Sequence, residues 1–176
     1  MTLPNKREKI GRISTVAVLP QFPPPARTLK SALKTHGRLY GFLVEKLGPV
    51  FMHPRNRAHL DRIVQKYTEN DVVVNVGSGP TRWPRRSDII NVDIFPYAEV
   101  DLVAGETIPL KDGCADLILC ISALEHIPEP RKTVAEIHRI AKPGGSALIF
   151  VPFMQPYHAA PDDYRRWTVS GLKNLL

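Results

Sequence analysis

Three observations predict a doubly wound α/β protein, a mostly parallel sheet with helices packed on it. Residues 72–76 (Val-Val-Val-Asn-Val) are a β-branched run with the composition of a parallel strand buried on both faces. Further strand-like runs at 89–93, 99–103, 117–121 and 147–151 are separated by Gly, Pro and polar punctuation. A helical period through Val134, Ile137, His138 and Ile140 lies between the last two. Strands alternating with helical segments make parallel βαβ units with right-handed connections. The ligand site of such a sheet lies outside the carboxyl ends of its strands.

Residues 1–27 combine a basic opening (Lys6, Arg7, Lys9, Arg12), a short β-prone run at 13–19 and the cluster Pro20, Pro23, Pro24 and Pro25. That composition resists regular packing, so an extended basic arm is expected. From Thr28 the apolar positions Leu29, Leu33, Tyr40, Leu43, Val44 and Leu47 recur near helical spacing, which predicts an amphipathic helix weakened at Gly37 and Gly41. Leu60, Ile63, Val64 and Tyr67 fall at i, i+3, i+4 and i+7, a second helix closed by the turn residues Glu69, Asn70 and Asp71. Residues 28–69 are therefore read as flanking helices and residues 70–176 as the sheet domain. Within the latter, 131–141 reads as a helix with Glu136 toward solvent, stopped by Lys142, Pro143, Gly144 and Gly145.

At 176 residues, 43% hydrophobic and 23% charged, the chain has the size and composition of one globular domain. No apolar run approaches the roughly 20 residues of a spanning helix. The run at 13–19 is short and followed by Pro20, unlike a secretory signal, so a soluble cytoplasmic protein with no membrane span is expected. Cys114 and Cys120 make no disulfide framework or metal-ligand spacing; both are read as reduced packing residues, and no metal is expected. The net charge of +7 is unevenly spread. Residues 1–66 hold 13 Lys and Arg against 3 Asp and Glu, a formal +10, whereas residues 67–176 hold 11 against 14, a formal −3. Nucleic-acid binding through the basic arm is thus one reading, but Phe22 is the arm's single aromatic for base stacking.

The first strand ends in Gly77-Ser78-Gly79, where missing Cβ atoms let the backbone turn tightly and approach a ligand. The second ends in Asp93, a carboxylate placed to accept two hydrogen bonds from a ribose diol. A dinucleotide needs a third glycine and a helix N-terminus for its pyrophosphate. Here Thr81 holds the glycine position, and Pro80 and Pro84 leave room for hardly a turn of helix. A nicotinamide-dependent oxidoreductase is therefore disfavoured against a nucleoside ligand without phosphates.

The ordered series VVVNVGSGP (72–80), INVD (90–93), DLIL (116–119), LEHIP (124–128) and EIHRIAKPGG (136–145) resembles class I S-adenosylmethionine-dependent methyltransferases of the methyltransferase 11 type, over roughly residues 70–176. The resemblance implies their Rossmann-like fold, S-adenosylmethionine as cofactor, and in-line methyl transfer to an acceptor it does not identify. By it, Asn75, Gly77 and Gly79 line the methionine side of the cofactor and Asp93 holds the ribose, with Ile94, Glu106 and Ser122 as further cofactor contacts. The family usually carries an acid at the position of Asn75 and another at that of Gly105, where Glu106 would substitute. Asp116, at the start of the fourth strand, is mostly architectural in the family.

Glu125 and His126 follow the fourth strand, at the rim where acceptor and methyl group would meet. His126 is a general base or a residue that orders the loop. After the fifth strand, residues 152–167 form the densest polar and aromatic stretch in the chain and resemble an acceptor-site segment of some of these enzymes. His158 is the second catalytic candidate; Glu125, Tyr157, Asp162, Tyr164 and Arg165 are the substrate-binding candidates. The alternative for this stretch is a loop locked on the sheet by Tyr, Trp and Arg stacking. The family sheet closes with a further helix and an antiparallel strand pair, and residues 171–176 fall within that helix. A C-terminally truncated domain lacking the pair is therefore expected, its fifth strand an edge for an oligomeric partner to cover. The competing function is a non-catalytic methyltransferase-like binding module.

Overall fold

The computed structural model describes residues 5–15, 54–84, 86–159 and 162–176. Its helices are α1 (Lys6–Ile13), α2 (Pro54–Val64), α3 (Pro130–Ile140) and α4 (Val169–Leu175), with a 3₁₀ turn at Leu124–His126. The strands are β1 (Val73–Val76), β2 (Ile90–Asp93), β3 (Leu102–Val103), β4 (Ala115–Ile121) and β5 (Ala141–Phe150). They form one sheet in the order β3-β2-β1-β4-β5, every pair parallel. The doubly wound expectation is met, and no antiparallel strand pair is found among the described residues.

Strand period and burial agree on why β1 and β4 sit at the centre. Val74, Val76, Ile118 and Cys120 point into one core with Ile137 and Ile140 of α3. Val73, Leu117 and Leu119 point into a second core with Val64 of α2. Successive side chains alternate faces, so a strand buried on both sides needs apolar residues at nearly every position, as these have. Asn75, the polar member of β1, is 7% exposed, and its Nδ2 donates to Asn91 Oδ1 on β2 at 3.3 Å.

The helix expected from Thr28 lies outside the described residues. The arm expected over 1–27 is corrected for residues 5–15, which fold onto the sheet. Asn5 caps α1 in a capping box, accepting from the Glu8 N–H at 3.0 Å while Glu8 Oε2 accepts from the Asn5 N–H at 3.1 Å. A helix of 8 residues does not stand alone in water. Tertiary contacts hold this one: Lys9, 5% exposed, donates to the Asp71 carbonyl and Asp88, Lys6 pairs with Asp101, and Ser14 bridges Leu110. Two of the arm's cations are thus spent on packing.

Three boundaries also differ. The third strand shrinks to Leu102–Val103 because 97–100 is a turn, with the Val100 N–H donating to the Tyr97 carbonyl at 3.0 Å. α3 begins one residue early, with Pro130 in its first turn, and ends at Ile140. β5 then starts at Ala141, six residues ahead of the expected strand. Lys142 to Gly145 are absorbed in an irregularity where Ala115 faces Ala141 and Leu117 already faces Ser146.

Candidate active site

A cleft of about 590 Å³ opens at the carboxyl ends of β1, β2 and β4. Gly77, Gly79, Asp93, Ile94, Glu106, Ser122, His126, Asp162 and Tyr164 line it, so most of the residues singled out in the sequence converge here.

The strand-end wall is mostly main chain. Gly77 has φ +69°, and a Cβ there would overlap the Cβ of Ala123. Gly79, at φ +61°, donates its N–H to Asp93 Oδ2 at 2.7 Å, and Asp93 Oδ1 accepts from the Phe95 N–H at 3.0 Å. Asp93 therefore locks the glycine turn to the end of β2. A carboxylate oxygen can accept more than one hydrogen bond, and Asp93 lines the cleft. Ser122, at the end of β4, is the one non-glycine residue with positive φ among those described, at 50°; such backbone strain collects at functional sites.

The far side of the strand-end wall is braced by α3. Glu136, expected toward solvent, instead accepts from the Ile108 N–H at 2.7 Å and from Arg139. Arg139 in turn donates to the carbonyls of Ile108 and Leu110 at 2.8 and 2.7 Å. The Arg139 hydrogen bond holds the Glu136 carboxyl below the usual carboxylate range. Lys132, on the same face one turn earlier, pairs with Glu106 at 3.0 Å. Lys132, Glu136 and the aromatic pair Phe95 and Tyr97 are lining residues that sequence reasoning missed. The i, i+4 spacing of Lys132 and Glu136 was the available signal.

The loop wall is made of side chains from distant segments. Glu125 is fully buried, and neither of its carboxylate oxygens has a hydrogen-bond partner. Burial raises its pKa. His126 Nε2 and His158 Nε2 stand 3.9 and 3.8 Å from Glu125 Oε1, and the imidazole rings meet edge to face with centroids 5.0 Å apart. The Tyr164 hydroxyl donates to Asp162 at 3.2 Å, and the Tyr164 N–H to the Glu125 carbonyl at 2.8 Å. Asp163 is paired with Arg166, whose hydrogen bonds hold the carboxyl far below its usual range.

Five candidates do not line the cleft: Glu125 and His158 stand beside His126 without reaching it, and Asn75, Tyr157 and Arg165 fall elsewhere. Asn75 is turned into the sheet against Asn91 and does not line the cleft. Tyr157 is 75% exposed and outside it. Arg165 donates to the carbonyls of Ile127 and Pro128, both at 3.0 Å, and lies near the Tyr164 and Trp167 rings, 6.0 and 5.8 Å from their centroids. For Arg165 the locking alternative describes what the side chain touches. Asp116 is architectural: it accepts from the Val72 N–H at 2.8 Å and pairs with Lys142 at 2.6 Å.

Residues 79–149 match the family described as Methyltransferase domain (Methyltransf_11), the family the sequence motifs resemble. A ubiquinone biosynthesis O-methyltransferase of Pseudomonas paraeruginosa is 25% identical over 76 residues, 43% of this chain and 32% of that protein. The chain spans well under half the length of the curated relatives it matches. A S-adenosylmethionine-dependent methyltransferase of Thermotoga maritima superposes with a TM-score of 0.56 at 18% identity, covering 81% of this chain and 76% of that one. The Burkholderia thailandensis 1,6-didemethyltoxoflavin-N1-methyltransferase, solved with S-adenosylhomocysteine, gives 0.53 at 17% identity, covering 93% and 81%. These likenesses show a shared fold, and the family read from the motifs is borne out. Among the described residues no helix is long and apolar enough to cross a membrane.

Proposed function

We propose that this chain binds S-adenosylmethionine in the cleft and directs its methyl group to an acceptor entering beside His126, Asp162 and Tyr164. The observation that carries the reading is the Gly77 to Gly79 turn locked by Asp93 at the cleft wall, a cradle that a side chain on Gly77 would fill. When bound, the cofactor supplies an electrophilic methyl group on a sulfonium, open to in-line displacement by an oxygen, nitrogen or carbon nucleophile.

The chain's own share is binding, alignment and proton acceptance. Asp93, a carboxylate in the cleft lining, is the group that would accept from the ribose hydroxyls. Ile94, 59% exposed, offers an apolar face beside it, and Glu106 reaches the same side from the loop that Glu136 and Arg139 brace. The loop wall brings a carboxylate and two imidazoles to one place, the groups that take a proton from a protic nucleophile. The names of the quinone-methylating relatives support methyl transfer to a small-molecule acceptor.

Calorimetric titration with S-adenosylmethionine tests the reading. Saturable heat is expected, and Asp93→Ala weakens it about 10- to 100-fold, the worth of a hydrogen bond to a charged group. Asp93→Asn, which keeps the side chain's shape, separates lost binding from a loosened turn. No heat at millimolar cofactor overturns the proposal in favour of a binding module.

A further inference from the structure

The buried Glu125 carboxylate has no role in the fold that accounts for it: it is fully buried with both oxygens lacking hydrogen-bond partners. A buried carboxylate left so is costly unless something positive and close neutralises it. The two imidazoles facing it, at 3.8 and 3.9 Å, are too far to donate a hydrogen bond. We propose that Glu125, His126 and His158 form a mononuclear site for a divalent transition metal of the zinc class, bordering the cleft through His126.

The geometry supports this at two levels. One ligand atom from each residue lies within 4.8 Å of the other two. Zinc with nitrogen and oxygen ligands at about 2.0–2.1 Å holds them about 3.4 Å apart, so the carboxylate-to-imidazole pairs need about half an ångström of closure and the imidazole pair up to about 1.4 Å. The outer atoms of the rings matter as much. His126 Nδ1 lies 2.5 Å from the Asp162 carbonyl and His158 Nδ1 2.9 Å from the Pro156 carbonyl. A carbonyl accepts only, so His126 Nδ1 carries the proton and its Nε2 faces Glu125, whereas His158 Nδ1 stands between the Pro156 carbonyl and the guanidinium of Arg166, whose Nη2 is 3.3 Å away. An imidazole that gives its other N–H to a carbonyl is the usual outer arrangement around a metal-bound histidine. Asp163, 3.4 Å from His158 Nδ1, balances the nearby Arg166 cation through its own pairing with it.

Two histidines and one carboxylate are a nitrogen and oxygen set suited to zinc, and three protein ligands leave one coordination position open. His126 lines the cleft, so the site borders it. When the metal is in place the imidazoles serve as ligands instead of bases. The ion then ties the segment carrying His158 to the 3₁₀ turn after β4. Metal-free and metal-loaded protein are two states of one wall. Metal binding itself requires neither cofactor nor acceptor, so it stands or falls apart from the proposed methyl transfer.

The test uses the full chain, stripped with a chelator and dialysed against Zn²⁺ with metal quantified by mass spectrometry. One equivalent per chain is expected. His158→Ala and Glu125→Gln should each weaken retention about 10- to 100-fold or more, and the exposed His59→Ala should not. Titration with Co²⁺ gives a second readout, visible ligand-field bands that change when His158 is replaced. Because His158 sits on a partly exposed segment, its variant keeps the test alive if Glu125→Gln fails to fold. No saturable binding by 100 µM Zn²⁺, or stoichiometry and affinity unchanged in the His158 variant, overturns the proposal.

Discussion

The two walls of the cleft are made of different material. From Gly77 to Phe95 the protein offers main-chain N–H groups and one carboxylate that ties them together, all within two neighbouring strand ends. On the other side His126, Asp162 and Tyr164 line the cleft, with the buried Glu125 and the side chains of His158 and Arg165 beside them. These are brought together by bonds such as Arg165 to the Ile127 carbonyl, across 38 residues of chain. The first wall is rigid by covalent geometry: a positive φ cannot be filled by ordinary side chains without strain. The second is rigid only as far as its charges are paired, and Glu125 leaves that pairing incomplete. A wall of the first kind suits an invariant ligand part, and a wall of the second kind suits chemistry that differs between acceptors.

Gly77→Ala gives the largest expected effect. Left-handed φ costs an alanine about 1–2 kcal/mol, and the overlap with the buried Ala123 adds about 1–3 kcal/mol of overpacking. A Cβ on Gly79 meets nothing within 4 Å, so Gly79→Ala should lose only the conformational part. Urea denaturation of the pair reads the difference directly. Equal losses would mean that the strand-end wall is not close-packed at Ala123, and the contrast drawn between the walls would weaken.

Arg139→Ala comes next, at about 2 kcal/mol, because two half-buried carbonyls and Glu136 lose a charge-assisted donor together. It also carries a pH signature. The folded Glu136 carboxyl titrates below its unfolded value, so its contribution is present above the unfolded pKa and is lost as pH falls through the lower folded one. In Arg139→Ala that slope in the acid range should flatten. An unchanged slope would show that the brace under residues 105–112 is held by something other than this pair.

Asn75→Asp sharpens the comparison from the family's side. Relatives of the methyltransferase 11 type usually carry an acid here, yet in this chain the Asn75 amide donates to Asn91 Oδ1, and Asn91 Nδ2 is already committed to the Glu99 carbonyl at 2.9 Å. A carboxylate would face an acceptor in a buried site, so stability should fall by about 1–3 kcal/mol. Cofactor affinity should not rise, since the side chain lies outside the cleft. Tighter binding in the variant would show that residue 75 reaches the ligand after all.

The sequence made the first wall legible and the second only in part, for a physical reason. Gly77, Gly79 and Asp93 act through local backbone conformation and a neighbouring strand end, and both leave a trace in short motifs. His158 meets His126 only through the path of residues 151–168, which no period specifies. The same holds for Glu136: the helical period located its face, but not the loop that folds over it. The capping box of α1 was present as Asn5 and Glu8, three apart, but the prolines at 20–25 suggested an arm, and the contacts of Lys9 are with residues more than sixty positions away. Asn75 follows its strand's period correctly, and that period turns it away from the cleft.

Tyr157→Ala should have the smallest effect of all, and it tests how the second wall is bounded. The sequence placed Tyr157 and Tyr164 together among the acceptor-site residues. In the structure Tyr164 lines the cleft, with its N–H on the Glu125 carbonyl and its hydroxyl on Asp162. Tyr157 is 75% exposed, so truncating it removes little burial and should leave stability within about 0.5 kcal/mol. S-adenosylhomocysteine affinity should be equally unmoved. Tyr164→Ala, by contrast, should lower stability more, through the lost Asp162 hydrogen bond and contact. Thermal denaturation of the two variants side by side is enough. If Tyr157→Ala proves as costly as Tyr164→Ala, the loop wall includes Tyr157 as well.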